Sequence, residues 1–216
     1  MEFSSGVNVP EASIVDLPAP RRGGARQRLL TALTEALVER VGDFEIADVA
    51  RRASVSVGLA YHHFGSKAGL LAALIDDFHD RHDAVANQRL DGALPWAERE
   101  RARLEATIVF MYADPLAAVL MGPLSGSAEA MAVEAARRRA MVELAAHNIA
   151  HGQRMGFIDP AIDPTLAGAA IMGGIRQAVA TALSSPTPPP KERVIAQIWA
   201  FIAGGLGLPT EDSRDG

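Results

Sequence analysis

Val49–Leu71 reads VARRASVSVGLAYHHFGSKAGLL. Ala50 is small enough to let a second helix approach closely. Ser54-Val55-Ser56 interrupts the helical pattern, with Val55 as an apolar plug inside the turn. Ser56 suits an N-cap, because its hydroxyl accepts an orphan backbone N–H of the helix that follows. That helix, Val57 to Phe64, is barely two turns long and carries Tyr61, His62 and His63 in succession. Ser66 caps again. Lys67 then stands in the first turn of the next helix, where a cation opposes the helix dipole unless an anion lies nearby. Short helices joined by a tight turn, with polar groups where phosphates would sit, read as a helix-turn-helix set against DNA.

Outward from this stretch the helical period continues. Leu29, Leu30, Leu33, Leu37 and Val41 form one buried stripe on a helix from about Ala25 to Val41, closed by Gly42-Asp43. A short helix from about Phe44 to Ala53 precedes the turn. A long one runs from Lys67 to about Leu90, with Leu70, Leu71, Leu74, Ile75 and Phe78 on its inner face. Further helices are expected over Trp96–Tyr112, Pro115–Met121, Ala128–Met155, Pro164–Ser184 and Lys191–Gly207. Breaks fall at Asp114-Pro115 and Gly122-Pro123, since proline disfavours helix in the residue before it. Asp163-Pro164 is an N-cap with proline at the first helical position, and Ser184–Pro190 is a stiff extended connector. No alternating β-branched run is long enough for a strand. The expected fold is all-α with about nine helices. A flexible tail covers residues 1–20, a helix-turn-helix domain 21–68, a larger helical domain 69–208 and a second tail 209–216.

Composition narrows the function classes. The chain has 216 residues, 49% of them apolar and none of them cysteine. That supports a real core and excludes a disulfide scaffold, a thiolate metal site and a cysteine nucleophile. With no basic segment leading into an apolar one at the N-terminus, and no clean apolar run near 18 residues, a soluble cytoplasmic protein with no membrane partner is expected. The net charge of −5 argues against a blanket nucleic-acid binder. The charge is uneven, however: between Arg21 and Lys67 eight Lys and Arg stand against five acids, a local +3 that leaves −8 elsewhere. A basic module on an acidic body suits a dedicated DNA-reading end, although an excess of this size also arises by ordinary scatter.

Small residues recur on the last two helices: Ala169, Ala170, Gly173, Gly174 and Ala178, then Ala203, Gly204 and Gly205. Glycine within a helix costs about 1 kcal/mol against alanine, so the run points to close helix–helix contact, inside one subunit or between two. A two-helix reader generally works as a pair on a palindromic site. That favours a homodimer built as a four-helix bundle, through Ala169, Ala170, Gly173, Gly174, Gln177, Ile195, Ile198, Trp199 and Ile202.

The chain resembles TetR-family transcriptional regulators. The resemblance is carried by Val49-Ala50, Ala53-Ser54-Val55-Ser56, Tyr61-His62-His63-Phe64 and Ser66-Lys67 through Leu70-Leu71, with the long first helix leading in. Gly152–Pro160, GQRMGFIDP, resembles the end of that family's seventh helix and the Asp-Pro start to its eighth. The likeness covers Ala25 to Leu208, specific in the first third and architectural beyond. Two positions depart from it. Ser54 stands where glycine is usual, which strains the backbone if φ is positive. Glu45 stands where a phosphate-binding threonine is frequent, after a connector about two residues short.

The resemblance implies a ligand-responsive DNA-binding regulator, a repressor released from its operator by a small-molecule effector. Base contacts are expected from Ser56, Val57, Leu59 and His62, with Gly58 allowing close backbone approach. Phosphate contacts are expected from Tyr61, His63 and Lys67, and an arm of Arg21, Arg22 and Arg26 reaches a minor groove. Val57 and Leu59 suit thymine methyls, and none of these residues is a bidentate base reader. The effector site is expected among Phe110, Met111, Met121, Met141, Leu144, His147, His151, Met155, Met172 and Arg176, although a methionine stripe is more often simple core. His147 and His151 have metal-pair spacing, but Asn148 follows His147 where a zinc hydrolase carries glutamate, so no metal and no cofactor are expected. No Gly-x-Ser-x-Gly elbow, phosphate loop or dinucleotide fingerprint supports an enzyme. The competing reading is a helical interaction module or small-molecule-binding protein that has lost specific DNA binding.

Overall fold

The computed structural model describes residues 24–40, 44–88, 94–122 and 128–208. Those residues hold nine helices and no strand. The expected tails and Arg21, Arg22, Val41, Gly42, Leu90 and Pro123 lie outside them.

α1 (Ala25–Glu39) buries Leu29, Leu30, Leu33 and Leu37, the stripe its period predicts. α2 (Ile46–Arg52) and α3 (Val57–Phe64) lie across it, with Val49 and Ala50 fully buried where the helices cross. Three hydrogen bonds tie the end of α2 and the turn after it to α1. Arg28 Nε donates to the Ala53 carbonyl at 3.1 Å, and Arg52 donates to both carboxylate oxygens of Glu39. Val55 donates its N–H back to the Ala50 carbonyl at 3.0 Å and its side chain packs on the core, as an apolar plug should. Ser54 has φ 54°, and among the described residues no other non-glycine residue has positive φ.

α4 (Lys67–Ala86) packs on α1, α3, α5 and α7, with a buried stripe running from Leu70 to Ala86. α5 (Trp96–Ala113) and α6 (Pro115–Met121) meet at 99°. At that corner Pro115 cannot continue α5. Asp114 caps α6 by accepting the Leu116 N–H at 2.9 Å, and it pairs with Arg81 of α4. α7 (Ala128–Arg154) and α8 (Pro164–Leu183) form the most extensive helix pair, and α9 (Lys191–Gly205) packs on α5 and α8. The α7–α8 crossing needs Gly168. A Cβ there would lie 2.9 Å from the Ala146 nitrogen and 3.1 Å from the Val142 carbonyl oxygen, both backbone atoms.

Helix ends fall slightly inside the expected ones. α4 closes at Ala86 rather than Leu90, because Asn87 has left helical geometry (φ −101°, ψ 19°). α9 closes at Gly205 rather than Gly207, which adopts φ 66°.

Two predictions follow from this geometry. Gly168→Ala forces helix backbones apart and should lower stability on the order of 2 kcal/mol, read as a drop in thermal midpoint. Removing the Cβ at the left-handed turn position, Ser54→Gly, should raise the midpoint, with a net gain of about 0.5–1 kcal/mol. The β-branched Ser54→Val should lower it.

Candidate nucleic-acid interface and ligand cavities

The caps that frame α3 form as their chemistry requires. Ser56 Oγ accepts the Leu59 N–H at 3.1 Å, and Ser66 Oγ accepts the Gly69 N–H at 2.8 Å. Gly65 (φ 72°) closes α3. The next turn is so tight that a Cβ on Gly69 would sit 2.1 Å from the Phe64 carbonyl oxygen, a constraint not anticipated from the sequence. This corner holds Ala60 inward and leaves Ser56, Val57, Gly58, Tyr61, His62 and His63 exposed, with Leu59 and Lys67 half-buried. Val57 and Tyr61 are 40% and 49% exposed, large for residues with apolar bodies, so α3 presents a face that none of the described residues covers.

The basic groups around α3 are mostly engaged. Lys67 Nζ lies 3.3 Å from Glu45 Oε1 and 4.9 Å from the centre of the Phe44 ring. The anion that its place in the first turn of α4 calls for is therefore supplied by the chain itself. Glu45, the departure noted above, is its source. Arg51 pairs with Asp48 at 2.9 Å, and Arg52 with Glu39, whose carboxyl the Arg52 hydrogen bond holds below the usual range. Arg26 is not part of an extended arm: it lies in the first turn of α1, its guanidinium 5.6 Å from the centre of the Phe64 ring. Arg21 and Arg22 fall outside the described residues.

Of the cavities among the later helices, two are lined by residues expected at the effector site, and a third of about 260 Å³ lies beside Glu134, Arg138 and Arg176. One of the two, of about 140 Å³, lies among α4, α5, α7, α8 and α9. Met141, Leu144 and Met172 line it, together with His82, Trp96, Glu100, Thr107, Asn148 and Trp199. The other, of about 250 Å³, reaches α6. Met111, Met121, Met141, Met172 and Arg176 line it, with His79 and Glu134. The two share Thr107, Met141, Met172 and Ile175, so only a few side chains divide them. Phe110, His147, His151 and Met155 line neither. Phe110 is buried against the Phe78 and His82 rings, His147 and Met155 are exposed, and His151 is half-buried.

The polar groups of these cavities had little signal in the sequence. His79 and His82 sit on the apolar stripe of α4, and only that placement could have marked them. His82 Nε2 lies 3.3 Å from Thr107 Oγ1 and its Nδ1 3.1 Å from Asp83 Oδ1. His79 Nε2 lies 2.9 Å from Glu134 Oε2. Burial would raise the Glu134 carboxyl, but the His79 hydrogen bond and the charges of His79, Arg176 and Arg138 outweigh it and hold the carboxyl below its ordinary value. Glu100 goes the other way, because burial outweighs Arg103 and Asn148 and pushes it up. Outside the cavities Arg137 of α7 clasps Asp76 at 2.7 Å and Asp80 at 2.5 Å on α4.

The set of residues expected at a dimer interface divides. Ala169, Ala170, Gly173, Gly174 and Gln177 are exposed on α8, and a Cβ on Gly173, Gly174, Gly204 or Gly205 would meet nothing within 4 Å. Ile195, Ile198 and Ile202 instead are mostly buried within the chain, where α9 packs on its own α5 and α8, although Ile198 and Ile202 also line the open groove between α8 and α9, and Trp199 lines the smaller cavity. α8 is also apolar beyond expectation: an 18-residue window averages 1.3 in hydropathy with 17% of it buried, long and apolar enough by composition to cross a membrane. Phe201, 70% exposed, stands beside it in an open groove of about 860 Å³ between α8 and α9.

Residues 34–74 match the family model described as "Bacterial regulatory proteins, tetR family". The HTH-type transcriptional regulator BetI of Escherichia coli O127:H6 (strain E2348/69 / EPEC) is 46% identical over 86 residues, 38% of this chain and 42% of that protein. The chain thus matches about two fifths of this relative's length. Over nearly the whole length the likeness is one of fold. The fatty acid degradation regulator FadR from Bacillus halodurans superposes with a TM-score of 0.77 at 16% identity, covering 88% of this chain and all of that one. A TetR-like transcriptional regulator from Rhodococcus sp. RHA1 gives 0.65 at 21%, covering 85% and 96%. These relatives are regulators rather than enzymes. Residues 34–74 thus resemble the DNA-binding module of the TetR family, and the fold of the described residues around them resembles that of solved regulators.

Proposed function

We propose that this chain is a cytoplasmic transcriptional regulator that binds a palindromic DNA operator as a homodimer and releases it, as a repressor, when a small molecule occupies its helical body. The observation that carries the DNA half is the uncovered face of α3, where Tyr61, His62 and His63 stand outward beside a capped helix N-terminus. Ser56, Val57, Gly58, Leu59 and His62 approach base edges, and Tyr61, His63 and Lys67 hold phosphates. With no bidentate base reader on the face, discrimination rests on methyl contacts, DNA shape and the spacing of two heads.

The uncovered apolar surface of α8 and α9 supports dimerisation, since contiguous apolar area of this kind calls for a partner. The two cavities support the effector half. A ligand there touches α4, which begins in the reading head at Lys67 and ends in the body at Ala86. To release DNA, the effector must bind one spacing of the two heads more tightly than the other.

Three measurements bear on this reading. Binding of the full chain to duplex DNA from its own upstream region should weaken linearly in log–log form with salt, and Tyr61→Phe and His63→Ala should each lower affinity several-fold at every salt. No binding at 50 mM salt would favour the interaction-module reading instead. Glu45→Thr removes the carboxylate nearest Lys67 Nζ and should tighten binding and steepen the salt slope by about one unit. Phe201→Glu and Gly174→Glu should give a folded monomer, by light scattering, that no longer binds operator DNA specifically; Gly174 has open space for the new side chain.

A further inference from the structure

Glu134 is 8% exposed, on α7. Its Oε2 faces the His79 ring nitrogen at 2.9 Å, but its Oε1 has no hydrogen-bond partner among the described residues. Two guanidinium groups stand near that oxygen without bonding to it: Arg176 at 3.5 Å and Arg138 at 3.9 Å. Arg176 is turned elsewhere, toward Met121 Sδ at 3.4 Å and the Leu120 carbonyl at 3.3 Å at the end of α6. An acceptor buried without a donor is costly and rare in folded proteins.

The same carboxylate lines the cavity of about 250 Å³, whose walls are mostly apolar, with four methionines, Met111, Met121, Met141 and Met172, beside the polar His79, Thr107, Arg138 and Arg176. Methionine adapts to irregular ligands. At about 250 Å³ the space exceeds the ~150 Å³ apolar cavity that suffices for benzene, so a fused-ring compound is within range. Charge narrows the class further. Arg176 and Arg138 stand beside Glu134, so an incoming cation meets positive charge. An incoming anion must settle beside a carboxylate held ionised. A neutral donor meets neither penalty.

We propose that this cavity takes a neutral, mostly apolar alcohol or phenol whose hydroxyl donates to Glu134 Oε1. The inference rests on the reading of the cavities as a ligand site and names the chemistry of the ligand. It also gives the ligand a lever. The node it joins holds α4 through His79 and the end of α6 through Arg176, and both α4 and α6 pack on α1 of the reading head.

The test is calorimetric titration of the full chain with four matched probes: 2-naphthol, 2-methoxynaphthalene, 2-naphthoate and (2-naphthylmethyl)trimethylammonium. 2-Naphthol should bind at least about tenfold tighter than 2-methoxynaphthalene, the value of one hydrogen bond to a charged acceptor. Glu134→Gln should shrink that ratio, and Met141→Trp, which fills the cavity, should weaken both. The ratio is read on the unsubstituted chain, so it stands even if Glu134→Gln fails to fold. Equal binding of the two neutral probes, both weakened by Met141→Trp, overturns the donor assignment and leaves the ligand-site reading in place. Tighter binding of the naphthoate or the ammonium probe does the same. Binding of no probe, or binding indifferent to Met141→Trp, overturns both.

Discussion

Everything in this molecule is arranged around one continuous helix that belongs to two parts at once. α4 has 20 residues, a span of about 30 Å. Its first turns share a core with α1 and α3, while Phe78, His79 and His82 are held by partners on α5 and α7. A helix bonded along its whole backbone does not bend cheaply without proline, a glycine pair or a bulge. On the proposed reading, a displacement at His79 would reach Lys67, about 18 Å along the helix, as a rigid-body movement, and so would link an interior cavity to the surface of the reading head.

The polar groups facing α4 show how the body keeps that helix in place. A buried carboxylate is retained only where charge and hydrogen bonds compensate its lost hydration, and breaking such a set by removing one member costs about 3–5 kcal/mol. Glu134 meets this condition incompletely, with His79 on one oxygen and two guanidinium groups near the other. The outer clasp of Arg137 on Asp76 and Asp80 is exposed by comparison, and exposed ion pairs contribute little each. The well-paired clasp sets register between α4 and α7. The poorly satisfied node below it is where added chemistry has most to gain.

The reading head was almost wholly legible in the sequence, for local reasons. Ser56 and Ser66 cap because a serine before a helical run has an orphan N–H within reach, and both bonds are present. Even the misfit was legible: Ser54 does take positive φ. The body was legible as helices but not as a site. Trp96, Glu100, Thr107 and Glu134 carry no spacing motif and reach one or other cavity only because α4, α5 and α7 cross, whereas His147 and His151 have a suggestive spacing and reach neither. The small residues of α8 divide in the same way. Gly168 is needed inside the chain, while Gly173 and Gly174 face open space, and no pattern of glycines along a helix distinguishes the two.

By itself, then, the sequence determined the helices, their breaks and the identity of the face that α3 exposes, because these depend on periodicity, caps and proline within a few residues of one another. The tertiary structure alone decided that Lys67 finds its anion in Glu45, that Ile195, Ile198 and Ile202 turn inward, and that one oxygen of Glu134 is left without a donor beside a cavity. Those outcomes depend on crossing geometry between segments far apart in the chain. A contact set by how two helices cross leaves no period in either of them.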